Sequence, residues 1–199
     1  FDIPSNYVLI FKILYYILLF SFLTMLIPNS NNYDDNTSGV IALLLLAKKC
    51  KAHGINNVKF IFVDNEEIGL LGSYAHRKYL EQAQLISTRC KIISLDCVGV
   101  GKFPLISRNG PPNFAEPFFK TFQNHYDTSK LIYSIIPLSD DYSFSGYGAI
   151  NISFVNKAIF PSGYTISNIH SFKDKKIDLH KIEKLTDVLT EIINAEKNV

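Results

Sequence analysis

The sequence predicts an α/β domain in which helices cover both faces of a mostly parallel sheet. Two patterns carry this expectation. From about residue 33 onward, helix-like and strand-like apolar runs alternate, the order that builds βαβ units. The strand-like runs, Val58–Val63 and Cys90–Leu95 foremost, are dominated by apolar residues without strict alternation, as suits strands buried on both faces. Composition agrees. Of 199 residues, 47% are hydrophobic and 19% charged, which excludes a disordered, collagen-like or coiled-coil chain. Lys plus Arg number 20 against 18 Asp plus Glu, a net charge of +2, so no cation excess argues for nucleic acid. Three cysteines, Cys50, Cys90 and Cys97, make neither a disulfide framework nor a CxxC-type zinc site.

The chain begins at Phe1, as a fragment or processed product would. Residues 1–32 read as an apolar N-terminal segment and 33–199 as the folded domain. Between Val8 and Ile27 the only charge is Lys12. As a helix this stretch would rise about 30 Å, a bilayer's thickness. It therefore reads as a possible membrane anchor, which would make the protein membrane-associated or extracytoplasmic. The alternative is a buried strand at residues 7–11 followed by apolar packing, since periodicity alone does not separate the two.

The remaining elements follow in order. Asn36, Thr37 or Ser38 can cap a helix with Val40, Leu43, Leu44 and Ala47 at helical spacing, ended by lysines and by Gly54. A strand at Val58–Val63 leads to an acidic loop, Asp64–Glu67. A helix is expected over Ser73–Gln82 and a strand over Cys90–Leu95. Further strands are expected near Leu131–Ile136 and Ile152–Val155, with a helix near Phe114–Tyr126. The closing helix, Leu179–Ala195, aligns Ile182, Leu185, Val188, Leu189, Ile192 and Ile193 on one face.

Ligands of open α/β sheets bind beyond the carboxyl ends of strands. Glu66 and Glu67 follow one expected strand, Asp96 ends another, Asp35 precedes a helix and His170 lies in a late loop. Four carboxylates gathered on one rim would raise one another's pKa unless a cation compensated them. A mixed Asp, Glu and His set suits Zn²⁺.

The local wording sharpens this. Asp35-Asn36-Thr37-Ser38-Gly39, Glu66-Glu67-Ile68-Gly69-Leu70, Ser94-Leu95-Asp96-Cys97-Val98-Gly99, Ser139-Asp140-Asp141-Tyr142 and Ile169-His170-Ser171-Phe172-Lys173-Asp174 occur in that order. The succession, covering roughly residues 33–195, resembles the co-catalytic zinc aminopeptidases of peptidase family M-28, whose relatives include glutamate carboxypeptidase and glutaminyl cyclase. The resemblance implies a mixed, mostly parallel sheet sandwiched between helices, the zinc-dependent exopeptidase fold. It implies that Asp35 bridges two zinc ions, that Glu67 and His170 bind one of them and Asp96 the other, and that Glu66 is the general base. The expected partner is a peptide whose N-terminal residue is removed by zinc-activated water.

The chain departs from the family pattern. Relatives carry a His-x-Asp motif on the strand before the bridging Asp, and its His binds the first zinc; no His precedes Asp35 in this chain. Either a ligand is lost, or residues 11–31 are an insertion or a faulty translation. Ile169 stands where many relatives have Tyr, and Asp141 where they have His. One tightly held zinc is expected, with a second site filled only at high metal concentration. Two other functions stay open: a single-zinc, glutaminyl cyclase-like acyltransferase using Asp35, Glu67 and His170, and a catalytically impaired binding member of the fold. Gly99-Val100-Gly101-Lys102 lacks the full phosphate-loop spacing, and Cys97 reads as a small buried hydrophobe.

Overall fold

The computed structural model describes residues 5–25, 30–108, 110, 114–134, 139–158 and 163–196. Backbone proximity divides the chain into two units, Phe1–Ser30 and Asn31–Val199.

The first unit holds helix α1, Ser5–Met25. Its large apolar side chains from Tyr7 to Phe20, with Phe22 and Leu23, are exposed. The buried strand considered for residues 7–11 is not formed: these residues are helical. The run lacks the polar–apolar alternation of a half-buried strand and is rich in leucine, a good helix former. Residues 26–27 of the expected span lie outside the described residues. Among those described, no helix is long and apolar enough to cross a membrane.

The second unit begins with a wide turn, Tyr33–Ser38, running into helix α2, Gly39–Ala52. Helix α3 spans Leu71–Gln82. Strands β1 (Ile93–Leu95) and β2 (Phe103–Arg108) precede helix α4 (Ala115–Gln123) and strand β3 (Lys130–Tyr133). A 3-10 segment, Asp140–Tyr147, leads to β4 (Ile150–Lys157), the short β5 (Tyr164–Thr165) and helix α5 (Leu179–Glu196). The sheet order is β1-β4-β2-β3, with β5 paired to the end of β4. β1 runs parallel to β4 and β2 to β3, while β2 and β4 are antiparallel. The sheet is therefore mixed, as expected.

Alternation along β4 sends Ile150, Ile152 and Phe154 into the main core, with Ala42, Leu46, Phe118, Phe122, Leu185 and Leu189 from α2, α4 and α5. Val155 faces the other way, with Phe103 and Leu105 of β2. Leu80 of α3 packs with Phe144 and Ala149 in a separate small cluster. Lys49 ties α2 to α5 by donating to Glu183 O, Thr186 Oγ1 and Asp187 Oδ1.

Several expectations are corrected. Residues 58–63 form no strand and pair with none among the described residues. Val58 and Phe60 lean on the core while Ile61 and Phe62 stay exposed. Propensity alone does not make a strand, and among the described residues the free edge of β1 takes no partner from this segment. The buried face of α2 is Gly39, Ala42, Leu46 and Cys50, with Val40 and Leu44 exposed. A run that is apolar on every side does not declare its face. β2 was not expected, because Gly99, Gly101 and Pro104 read as loop; Pro104 falls before β3 joins at Leu105. The strand expected near 131–136 is β3, and residues 135–136 lie outside the described residues.

Candidate functional site

Asp35 sits in the Tyr33–Ser38 turn, where Asp35 (φ −113°, ψ 90°) and Asn36 (φ −134°, ψ 42°) leave helical geometry and the peptide between them is cis. The flanking polar residues fasten this turn to the loop after β1. Asn36 Nδ2 donates to Leu95 O at 3.1 Å, while its Oδ1 accepts the Gly39 N–H at 2.9 Å and the Cys97 N–H at 3.4 Å. Ser38 Oγ donates to Asp34 O and accepts the Val98 N–H. Asp34 Oδ1 accepts the N–H groups of Gly99 and Val100 at 2.6 and 3.1 Å. Gly39 is required at its position, since a Cβ there would lie 2.3 Å from Leu95 O. The expected side-chain cap on α2 is thus made by Asn36 alone, and the same side chain sets Asp35 against Asp96.

Glu66 and Glu67 lie in a tight turn that winds into α3. Glu66 O accepts the N–H groups of Gly69 and Leu70, and Gly72 N donates to Asp64 O. Gly69, at φ 88°, and Leu70, at φ 60°, take the left-handed conformation for which glycine is the natural residue. His170 comes from the loop after β5. Four residues later, the buried Asp174 reaches back and accepts the N–H of Asp34 (2.9 Å to Oδ1) and of Asp35 (3.0 Å to Oδ2).

These segments meet at a pocket of about 300 Å³ lined by Asp35, Glu66, Glu67, Gly69, Leu70, Asp96, Ile169 and His170. All five residues singled out from the sequence are present. His170 Nε2 lies 2.7 Å from Glu67 Oε1 and 3.2 Å from Asp35 Oδ2. Asp35, Glu67 and His170 offer ligand atoms that all fall within 4.8 Å of one another, and so do Asp35, Asp96 and Cys97. A larger hollow of about 750 Å³ lies beside Tyr33, Gly99 and Lys175–Lys181. Its charged lining is three lysines and Asp178, whose Oδ1 accepts the N–H groups of His180 and Lys181 at the start of α5. The smaller pocket is the one where acids and imidazole converge.

Electrostatics indicate what this pocket suits. Burial pushes the Glu66 carboxyl up to about 8, reinforced by the charges of Asp96, Glu67, Asp140 and Asp35. Burial, with Asp35 beside it, raises Asp96 to about 7. Asp35 is raised by burial and then by Glu67, with His170 acting against them. No lysine or arginine is among the largest influences on these three acids. The donor set fits a divalent cation, whose charge would relieve the crowded carboxylates and whose preference for mixed oxygen and nitrogen ligands matches zinc.

Other participants escaped the sequence reading. Asp140 carries a buried Oδ1 with no hydrogen-bond partner among the described residues and acts on Glu66. Cys97 is indeed buried, but its Sγ lies among carboxylates rather than hydrocarbon. Asp34, Asn36 and Asp174 are the scaffold of Asp35. Their roles depend on contacts between residues about 60 and 140 positions apart, which no local pattern announces.

The profile of Peptidase family M28 matches residues 27–193. Over 108 residues the chain is 29% identical to the probable leucine aminopeptidase 2 of Aspergillus oryzae (strain ATCC 42149 / RIB 40), a match covering 49% of this chain and 21% of that protein. A Zn-dependent exopeptidase from Parabacteroides distasonis ATCC 8503 shares the fold, with a TM-score of 0.55 at 21% identity over 81% of this chain and 63% of that one. The chain thus spans about a fifth of the curated relative and under two thirds of the solved neighbour.

Proposed function

The chain belongs to peptidase family M28, and from that premise we propose that it is a zinc-dependent aminopeptidase. One observation supports this most: Glu66 lines the same pocket as the Asp35–Glu67–His170 donor set, whose three ligand atoms lie within 4.8 Å of one another. Asp35, Glu67 and His170 would hold the zinc, which when bound supplies a Lewis acid for a scissile carbonyl and its attacking water. Glu66 takes the proton from that water and returns it to the departing amine. The acidic rim suits a cationic α-amino group, and Leu70 and Ile169 give the pocket an apolar wall for the terminal side chain.

The test is hydrolysis of a leucyl peptide with a free or an acetylated N-terminus. Cleavage of the free form alone, with Glu66→Gln slowing it by roughly 10²–10⁴-fold at unchanged zinc content, is the expected result. Equal cleavage of the acetylated peptide, or a Glu66→Gln variant that keeps most activity, would overturn it.

A second reading rests on the completeness of the Asp35–Glu67–His170 set by itself, which is all that a single-zinc, glutaminyl cyclase-like acyltransferase would use. Pyroglutamate formed from an N-terminal Gln peptide, in place of a released amino acid, would favour that reading.

A further inference from the structure

Cys97 follows Asp96 directly, yet its side chain reaches the same place. Consecutive residues of a strand point to opposite faces. β1 ends at Leu95, and Cys97 adopts φ 55°, so the alternation is broken where the two side chains leave the strand. Its Sγ and one carboxylate oxygen each from Asp96 and Asp35 lie within 4.8 Å of one another.

The surroundings of this thiol are not those of a packing residue. Cys50, also buried, belongs to the main core with Ala42 and Leu46. Cys97 is 0% exposed but joins none of the hydrophobic clusters among the described residues. Its Sγ lies beside the carboxylates of Asp96 and Asp35, and Asn36 Oδ1 holds its backbone N–H. A buried thiol placed beside two largely covered carboxylates has the geometry of a ligand set.

The family resemblance already assigns a second metal position to Asp96 and the shared Asp35; we propose that in this chain Cys97 completes it as a thiolate ligand. The inference rests on the metallopeptidase reading above. On binding, the S–H bond breaks and a sulfur–metal bond forms, and the proton leaves to water, as metal binding to thiols requires. Thiolate makes the position favour Zn²⁺, Co²⁺ or Cd²⁺ over Mg²⁺ and Ca²⁺, which prefer oxygen alone. The second position is therefore a selective site, and not the weak all-carboxylate one that the sequence suggests.

Titration of the full-length chain with Co²⁺ tests this. Two equivalents should bind, the one at Cys97 bringing the near-ultraviolet charge-transfer absorption of a thiolate–cobalt bond. Cys97→Ser should abolish that absorption and weaken one equivalent by at least about tenfold, leaving the other in place. Cys50→Ser and Cys90→Ser should keep both. Two bound equivalents without the absorption, one equivalent without it, or an absorption that survives Cys97→Ser would each overturn the proposal while the peptidase reading stands. Failure to bind any cobalt would remove both. Should Cys97→Ser not fold, cadmium NMR of the wild-type chain decides: a resonance in the sulfur-ligated range supports the site, and oxygen- and nitrogen-range resonances alone overturn it.

Discussion

Asp174 Oδ2 accepts the backbone N–H of Asp35 at 3.0 Å, so the loop that carries His170 also fixes the turn that carries Asp35. Both Asp174 oxygens accept the Asp34 N–H as well. One carboxylate, 3% exposed, thereby sets the spacing between two candidate zinc ligands that it does not itself join.

Asp174→Ala should therefore destabilise the fold and loosen metal binding together. It strands two N–H donors, a loss of roughly 2–6 kcal/mol at about 1–3 kcal/mol for each buried group left unpaired. Asp174→Asn keeps one acceptor and should recover part of both losses. Thermal unfolding and zinc affinity of the two variants check this. Equal zinc affinity in Asp174→Ala and wild type would separate Asp174 from the site.

The Asn36 hook gives a second expectation. An alanine at position 39 would place its Cβ 2.3 Å from both Leu95 O and Asn36 Oδ1. Overpacking of this kind costs about 1–3 kcal/mol, and the displaced Asn36 no longer holds the Asp35 turn against β1. Gly39→Ala should lower the melting temperature and weaken metal binding. Gly146→Ala, where nothing lies within 4 Å of the added carbon, should leave both unchanged. A neutral Gly39→Ala would mean that the turn adjusts freely.

These contacts mark the boundary of what the sequence disclosed. The closing helix was legible because Ile182, Leu185, Val188, Leu189 and Ile192 repeat with helical period, and all five are buried. Asp35, Glu66, Glu67, Asp96 and His170 were legible because each sits in a short motif at a turn or a strand end, and the structure gathers them in one pocket. Residues 58–63 misled because β-propensity does not by itself secure a ladder partner: β1 has a free edge, yet this segment does not pair with it among the described residues. Helix α2 hid its face because apolar residues surround it. Cys97 was missed because a left-handed φ, invisible in composition, turns it toward Asp35 and Asp96.

Glu67 makes a contrasting case, being largely exposed at 58% of its side chain. Glu67→Ala should scarcely change the stability of the metal-free chain, since it removes a solvated side chain and relieves its repulsion on Asp35 and Glu66. The variant should nonetheless lose zinc affinity by more than about a hundredfold, beyond what an outer-sphere partner contributes. Metal analysis after dialysis against a weak chelator, with thermal unfolding alongside, separates the two effects. Unchanged zinc content would remove Glu67 from the ligand set.

The crowded acids predict how the metal-free chain responds to pH. Glu66 is raised from 4.5 to about 8 and Asp96 from 3.8 to about 7. Between the unfolded and folded values the native state binds more protons than the unfolded one, so stability falls as pH rises. The contribution is fully present below about pH 4 and lost as pH climbs through about 7 to 8. Other carboxylates act at the acid end, so the informative window is pH 5 to 8. Chelator-treated protein should melt at progressively lower temperature across that window. With saturating zinc the slope should flatten or reverse, because the ion holds the same groups ionised and binds better as they lose protons. Melting curves with and without zinc at each pH provide the measurement. A metal-free melting temperature that rises steadily from pH 5 to 8 would show that Glu66 and Asp96 are not kept protonated by the fold, and the case for a missing cation in this pocket would fall with it.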